Sequence, residues 1–264
     1  MSHFEASRTA HGGEGKDPLE DAVHLWFVHP EGWKGDEAQA RLLSLLSPAE
    51  RERWEAFRFS RDRLLYLTAH GMLRCVLSRY GGLSPRQWRF VTNRYGRPEI
   101  VAAQNRRSLR FNLSHTAGLA VCLVNRVFDA GVDVERNDRL DDPLSIAERY
   151  FSPLEVRDLR RRPRKEHRER FFTLWTLKEA YIKARGMGLS IPLHHFSFEI
   201  DDRIGISFDP ALRDDPSRWH FEVFHPTPHH TLACALGRGP LPVPRIERFL
   251  FTPAEVAKVG GEIF

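Results

Sequence analysis

The chain carries three cysteines in 264 residues, Cys75, Cys122 and Cys234, each inside apolar sequence and far from the others. With no C-x-x-C pair to bind a metal or cycle a disulfide, they read as buried reduced thiols. The thirteen histidines show no H-E-x-x-H or finger spacing, and the neighbours His194-His195 and His229-His230 point apart on most backbones, so zinc is not expected. No apolar run approaches the roughly 18 residues of a membrane helix. Residues 1–18 lack an apolar h-region and read as a flexible leader, not a secretory signal. A cytoplasmic protein with no membrane partner is expected.

What is present suits a globular chain: 41% hydrophobic and 28% charged residues. The length fits two ordinary domains or one duplicated unit. A net charge of +5 points to an anionic partner, whether nucleic acid, phosphorylated cofactor or acidic protein.

Periodicity predicts a first strand over 22–28 and an amphipathic helix over 36–46. Ser47-Pro48-Ala49-Glu50 then opens another helix, with Ser47 as N-cap, Pro48 in the first turn and Glu50 closing a capping box. A long helix over 61–79 buries Leu64, Leu65, Leu67, Met72, Leu73, Val76 and Leu77. Thr92-Asn93-Arg94-Tyr95-Gly96-Arg97 reads as the turn of a hairpin, and 119–124 with 127–134 as the next hairpin, Asn125 marking the crossing between halves. The second half follows a similar order. Helices are expected over 143–150, 153–161 and 166–185, the last ended by Gly186, and five short strands come after. The pattern is α+β, divided as leader 1–18, N-terminal subdomain 19–126 and C-terminal subdomain 127–264.

Three constellations lie within 111–185. Phe111-Asn112-Leu113-Ser114-His115 comes first. In Gly131-Val132-Asp133-Val134-Glu135-Arg136, alternation on a strand sends both carboxylates to one face and both valines to the other, bringing the two acids within metal-bridging reach. In Trp175-Thr176-Leu177-Lys178-Glu179-Ala180-Tyr181-Ile182-Lys183, Trp175, Glu179 and Lys183 share one helix stripe, and Leu174, Leu177, Tyr181 and Ala184 mark an apolar one. Glu179 can thus join Asp133 and Glu135 as a third oxygen ligand.

These motifs, with Leu46-Ser47-Pro48-Ala49-Glu50-Arg51, Tyr95-Gly96-Arg97-Pro98, Arg149-Tyr150-Phe151-Ser152-Pro153 and Gly188-Leu189-Ser190-Ile191-Pro192-Leu193, resemble in order and spacing the Sfp-type 4′-phosphopantetheinyl transferases. The resemblance implies two similar α/β subdomains related by a pseudo-twofold, with coenzyme A at their junction. It implies transfer of the phosphopantetheine arm to a serine of an acyl or peptidyl carrier protein, releasing adenosine 3′,5′-bisphosphate. Mg2+ is the implied metal, with Asp133, Glu135 and Glu179 as ligands. Glu179 is the implied base, Lys183 and His115 act at the phosphates, and Arg97, Ser114 and Arg53 contact the nucleotide and its 3′-phosphate. In-line cleavage of a pyrophosphate needs its charge neutralised, which a hard cation and a few basic groups can do. The family pattern is broken where Glu50, Arg53 and Tyr66 stand at positions that hold lysines or a small polar residue in some relatives.

Two other classes use parts of the same inventory. A metal-dependent nuclease or other phosphotransferase would employ the three acids, and a nucleic-acid-binding module would explain the Arg-rich stretch 157–170, where eight of fourteen residues are basic. Neither accounts for Asn-Leu-Ser-His ahead of the acidic strand, so no nucleic-acid partner is expected. The Arg-rich stretch is instead a candidate for steering an acidic carrier. A monomer is expected, because one chain can complete the site.

Overall fold

The computed structural model describes residues 17–260 except Arg139. The predicted leader lies outside the described residues up to position 16. Strands are β1 (Ala22–Val28), β2 (Phe90–Thr92), β3 (Pro98–Ile100), β4 (Arg110–Thr116), β5 (Leu119–Asn125), β6 (Asp129–Arg136), β7 (Phe196–Ile200), β8 (Ile204–Phe208), β9 (Trp219–Thr227), β10 (His230–Gly237) and β11 (Arg245–Leu250). Helices are α1 (Asp36–Leu45), α2 (Pro48–Glu55), α3 (Ser60–Gly81), α4 (Pro143–Tyr150), α5 (Pro153–Arg161), α6 (His167–Arg185) and α7 (Pro253–Gly260). None of the described helices is long and apolar enough to cross a membrane.

The chain forms two compact units. Of the described residues, the first holds those up to Val91, Pro98–Val127 and those from Pro244 on; the second holds Thr92–Arg97 and Phe128–Val243. The segment from Pro244 on was expected with the C-terminal half. It belongs to the first unit because β11 pairs in parallel with β1.

In the first unit a four-stranded sheet runs in the order β11-β1-β5-β4. Its main helix, α3, buries Leu67, Met72, Val76 and Leu77 in a core shared with Trp26 and Val28 of β1, and ends at Gly82, whose φ of 77° suits only glycine without strain. The capping box predicted at α2 is formed by Ser47 and Glu50. Glu50 also accepts from Arg74 Nε at 2.8 Å, while Arg74 Nη1 donates to the carbonyls of Pro85 (2.7 Å) and Trp88 (3.2 Å).

The expected hairpin of 119–124 with 127–134 does not form. β5 pairs with β4 and β1, and β6 belongs to another sheet, paired with β10. Strands buried on both faces present apolar runs that fit any neighbour, so their pattern does not name the partner.

In the second unit the sheet order is β6-β10-β9, all antiparallel, with α6 across one face and β7–β8 as a separate hairpin. Leu174, Leu177 and Tyr181 of α6 meet Ala233 and Ala235 of β10 and Phe196 and Phe198 of β7 in the core. The small side chains let the helix sit close. At Gly131 a Cβ would fall inside the contact radius of the Ala180 carbonyl oxygen and the Ala184 nitrogen, which is why this strand position is glycine.

Candidate active site

Gly131, Asp133 and Glu135 occupy one face of β6, as alternation demands, but α6 covers that face. Asp133 is 4% exposed and Val132 and Val134 are buried on the other side. Both faces of the strand are interior at this point.

Four side chains of the predicted site come together here. Lys183 Nζ donates to Asp133 Oδ1 at 2.6 Å. Trp175 hydrogen-bonds Glu135, and its ring stacks on Phe171 at 5.7 Å between centroids. Burial, with the charge of Asp133 adding to it, pushes the Glu135 carboxyl up to about 7, against the pull of Lys183 and Trp175 and with a further push from Glu179. Glu179 is raised by burial and by Asp133, with Lys183 opposing. Three acids and one lysine thus share a half-desolvated seam.

The predicted cage of three carboxylates is not assembled as such, since among the described residues no three His, Cys, Asp or Glu side chains converge as a metal site. The reason is visible in the partners: the ammonium of Lys183 serves as counter-ion to Asp133, and the bond from Trp175 draws on Glu135. The donor set itself, oxygen only and in excess of its one cation, matches a hard divalent ion.

The other predicted residues lie elsewhere. Arg97 is at the C-terminal end of α6, where it packs over Gly186 and donates to the Ala184 carbonyl at 3.4 Å, a cation at the negative end of a helix. Asn93, in the same turn, donates to the Gly186 carbonyl at 2.9 Å. Ser114, buried, and His115, exposed, end β4 in the first unit, and Arg53 is an exposed residue of α2 there. These three are described with that unit alone.

The sequence reading missed two residues. Trp175, given no role from the sequence beyond its place on the stripe of Glu179 and Lys183, is a partner of Glu135. Lys178, in the same motif, looks like a surface lysine and is wholly buried, its ammonium 2.7 Å from Glu155 Oε2, the Leu193 carbonyl and the Phe196 carbonyl. A signal existed. Ser152-Pro153-Leu154-Glu155 repeats Ser47-Pro48-Ala49-Glu50, and each box glutamate receives a basic side chain from its unit's long helix.

Comparison with known families decides the identity. The model of the 4′-phosphopantetheinyl transferase superfamily matches residues 129–236 and that of the 4′-phosphopantetheinyl transferase N-terminal region matches 31–126. The chain belongs to the 4′-phosphopantetheinyl transferases. It is 37% identical to the 4′-phosphopantetheinyl transferase HetI of Nostoc sp. over 65% of this chain and 72% of that one. With Sfp of Bacillus subtilis it shares 31% identity, over 81% of this chain and 92% of that one. The holo-[acyl-carrier-protein] synthase of Thermotoga maritima is a distant likeness, 23% identical with a TM-score of 0.35 over 42% of this chain and 62% of that one, too slight to argue from. As a phosphopantetheinyl transferase the protein is an enzyme that moves phosphopantetheine from coenzyme A to carrier proteins, and the acidic seam lies inside the superfamily match.

Proposed function

We propose that the acidic seam is the transfer site and that Asp133, Glu135 and Glu179 hold one Mg2+ there. When bound, the ion would neutralise charge on the pyrophosphate of coenzyme A. The carrier serine attacks the phosphorus that bears the pantetheine arm, Glu179 takes the serine proton, and adenosine 3′,5′-bisphosphate leaves. Lys183, one turn past Glu179, stabilises the phosphate charge, as does His115; Ser114, Arg97 and Arg53 contact the nucleotide. The observation that carries this reading is the seam's composition: three carboxylates against one lysine between β6 and α6, with Glu135 and Glu179 both held above the usual range. Such an excess of buried negative charge is unfavourable to the fold and suits a site built to take a cation.

The partner is an acyl or peptidyl carrier protein, met in the cytoplasm by a monomeric enzyme. The Arg-rich stretch supports electrostatic steering in part. Arg160 pairs with Glu148, and Arg162 and Arg170 with Asp158, whereas Arg157, Arg161, Arg164 and Lys165 are exposed and have no ion pair among the described residues. A cleft of about 1090 Å³ opens beside Arg164, Lys165 and Arg168, with Asp141, Asp142 and Glu169 also on its walls.

Incubation of the enzyme with apo carrier protein, coenzyme A and Mg2+, followed by intact mass, tests the reading; the mass of one phosphopantetheine is expected on the carrier. Glu179→Gln separates two jobs for that side chain. A base predicts a large loss of kcat that excess Mg2+ does not restore, and full recovery at high Mg2+ would assign the proton to another acceptor.

A further inference from the structure

The buried pair Lys178–Glu155 has no part in the chemistry above, and among the described residues of the second unit it is the ion pair most removed from solvent. Both side chains are essentially unexposed. The three protons of the ammonium meet three acceptors at 2.7 Å, which uses its full donor capacity. Glu155 is equally committed, taking bonds from the Ser152 amide (3.0 Å), the Ser152 hydroxyl (2.9 Å) and the Phe198 amide (2.9 Å). Ser197 donates to the Ser152 hydroxyl at 2.7 Å. The network ties the middle of α6 to the start of α5 and to β7.

Stability does not explain such a pair, since apolar side chains of similar volume often serve a core as well or better. Direction does. Apolar contacts are non-directional and so set the roll of a helix about its own axis only loosely. A roll of about 15° moves a side-chain tip on a helix of about 5.5 Å radius by about 1.4 Å. Misplacement of that order can reduce a catalytic rate about a hundredfold. Lys178 points into the core, and Glu179, the next residue, then points toward β6.

We infer that Lys178 is a positioning residue for phosphopantetheine transfer: clamped by Glu155 and the carbonyls of Leu193 and Phe196, it fixes the roll of α6 and so aims Glu179 at the acidic face of β6. This rests on the role proposed for Glu179. The clamp belongs to the frame, because Arg74 and Glu50 repeat it in the first unit, where Arg74 is followed by the buried Cys75 and no acid awaits aiming.

The test is the double variant Lys178→Met with Glu155→Gln, which removes both charges and keeps one acceptor oxygen, placed for either the Ser152 amide and hydroxyl or the Phe198 amide. Expected are a thermal midpoint within a few degrees of the native one, coenzyme A KM and calorimetric affinity within twofold, and kcat at least tenfold lower. The twin variant Arg74→Met with Glu50→Gln is the control for general loosening, with kcat within twofold. A folded Lys178/Glu155 variant at native kcat overturns the inference, as does an equal loss of kcat in the twin. If the double variant does not fold, Glu155→Asp, which keeps both charges and shortens the clamp by one methylene, is judged on the same split: lowered kcat at constant coenzyme A affinity supports the inference and native kcat overturns it. Glu179→Gln is measured alongside. A fast Glu179→Gln enzyme removes the reading underneath, and is distinguishable from failure of the clamp, where Glu179→Gln is slow and the double variant fast.

Discussion

The two units are built on one plan and differ at one seam. Each has a strand, a helix opened by Ser-Pro-x-Glu, a long helix clamped to the box glutamate, a small hairpin and two more strands, pairing as β1-β5-β4 in the first unit, where β11 adds a fourth strand beside β1, and as β6-β10-β9 in the second. Counted from the clamps, Arg79 corresponds to Lys183 and Cys75 to Glu179. Arg79 lies over the Trp26 ring at 5.3 Å, where Lys183 binds Asp133. The alternation of β1 then sets Val28 against Glu135. The first unit thus fills its helix–strand seam with Trp26, Val28 and Cys75, all buried, and the second fills the same seam with Asp133, Glu135 and Glu179. The difference teaches that a charged seam needs no new fold; carboxylates at three positions that are apolar in the first unit make a charged core of a packed one, at a loss of local stability.

Asp133→Ala against its counterpart Trp26→Leu separates the two seams most widely. In the second unit, turnover is expected to fall about 100- to 1000-fold with circular dichroism and thermal midpoint preserved. In the first unit, stability is expected to fall by about 2 kcal/mol while kcat of the folded enzyme changes less than twofold. An Asp133→Ala enzyme that kept its rate and its Mg2+ dependence would erase the functional contrast.

Glycine contacts sharpen it further. A methyl at Gly131 meets backbone atoms of Ala180 and Ala184, which cannot step aside, whereas one at Gly71 in α3 meets only the Leu42 side chain. Gly131→Ala should therefore cost more in urea unfolding than Gly71→Ala, about 3 kcal/mol against about 1, and it alone should lower kcat, because lifting α6 carries Glu179 off β6. Equal losses would mean that the two helices sit equally loosely.

The Ser-Pro-x-Glu helices differ in charge as well. In α2 the residues Arg51 and Arg53 alternate with Glu50, Glu52 and Glu55, while the segment that includes the end of α5 leaves several cations uncompensated. Arg161→Glu with Arg164→Glu is expected to raise carrier KM severalfold at low salt and flatten its salt dependence, with coenzyme A KM unchanged. An unchanged carrier KM at low salt would make this stretch mere surface.

The smallest expected effect is acid sensitivity of the first unit. Burial, with Arg245 and Arg79 adding to it, holds His24 down at about 4 from its ordinary 6.5. The neutral ring is the folded form, so its contribution is complete above pH 6.5 and is lost as pH falls toward 4. For Glu50, burial alone would raise the carboxyl, but hydrogen bonds from His70, Arg74 and the Ser47 amide outweigh it and bring it to about 2. That contribution is present above about pH 4.5 and fades only below it. Between pH 7.5 and about 5.7 the native enzyme should lose about 1 kcal/mol more than His24→Gln in urea unfolding; parallel curves would remove His24 as the cause.

Much of this was legible in local sequence. The strand over Ala22–Val28, the helices Pro143–Tyr150 and Pro153–Arg161, the box at Ser47 and the stop at Gly186 follow from spacing, capping residues and φ preferences, because these are decided among neighbours in the chain. The alternation in Gly131-Val132-Asp133-Val134-Glu135 likewise fixed which residues share a face. What covers that face was decided only in three dimensions. Periodicity gives the side of a strand and not its neighbour, so it did not tell that α6 closes over Asp133, that β5 and β6 join different sheets, or that β11 returns to β1. Lys178 is the sharpest case: a lysine has the same composition at a surface and in a core, and its burial followed from Glu155, twenty-three residues earlier, meeting it there with two carbonyls.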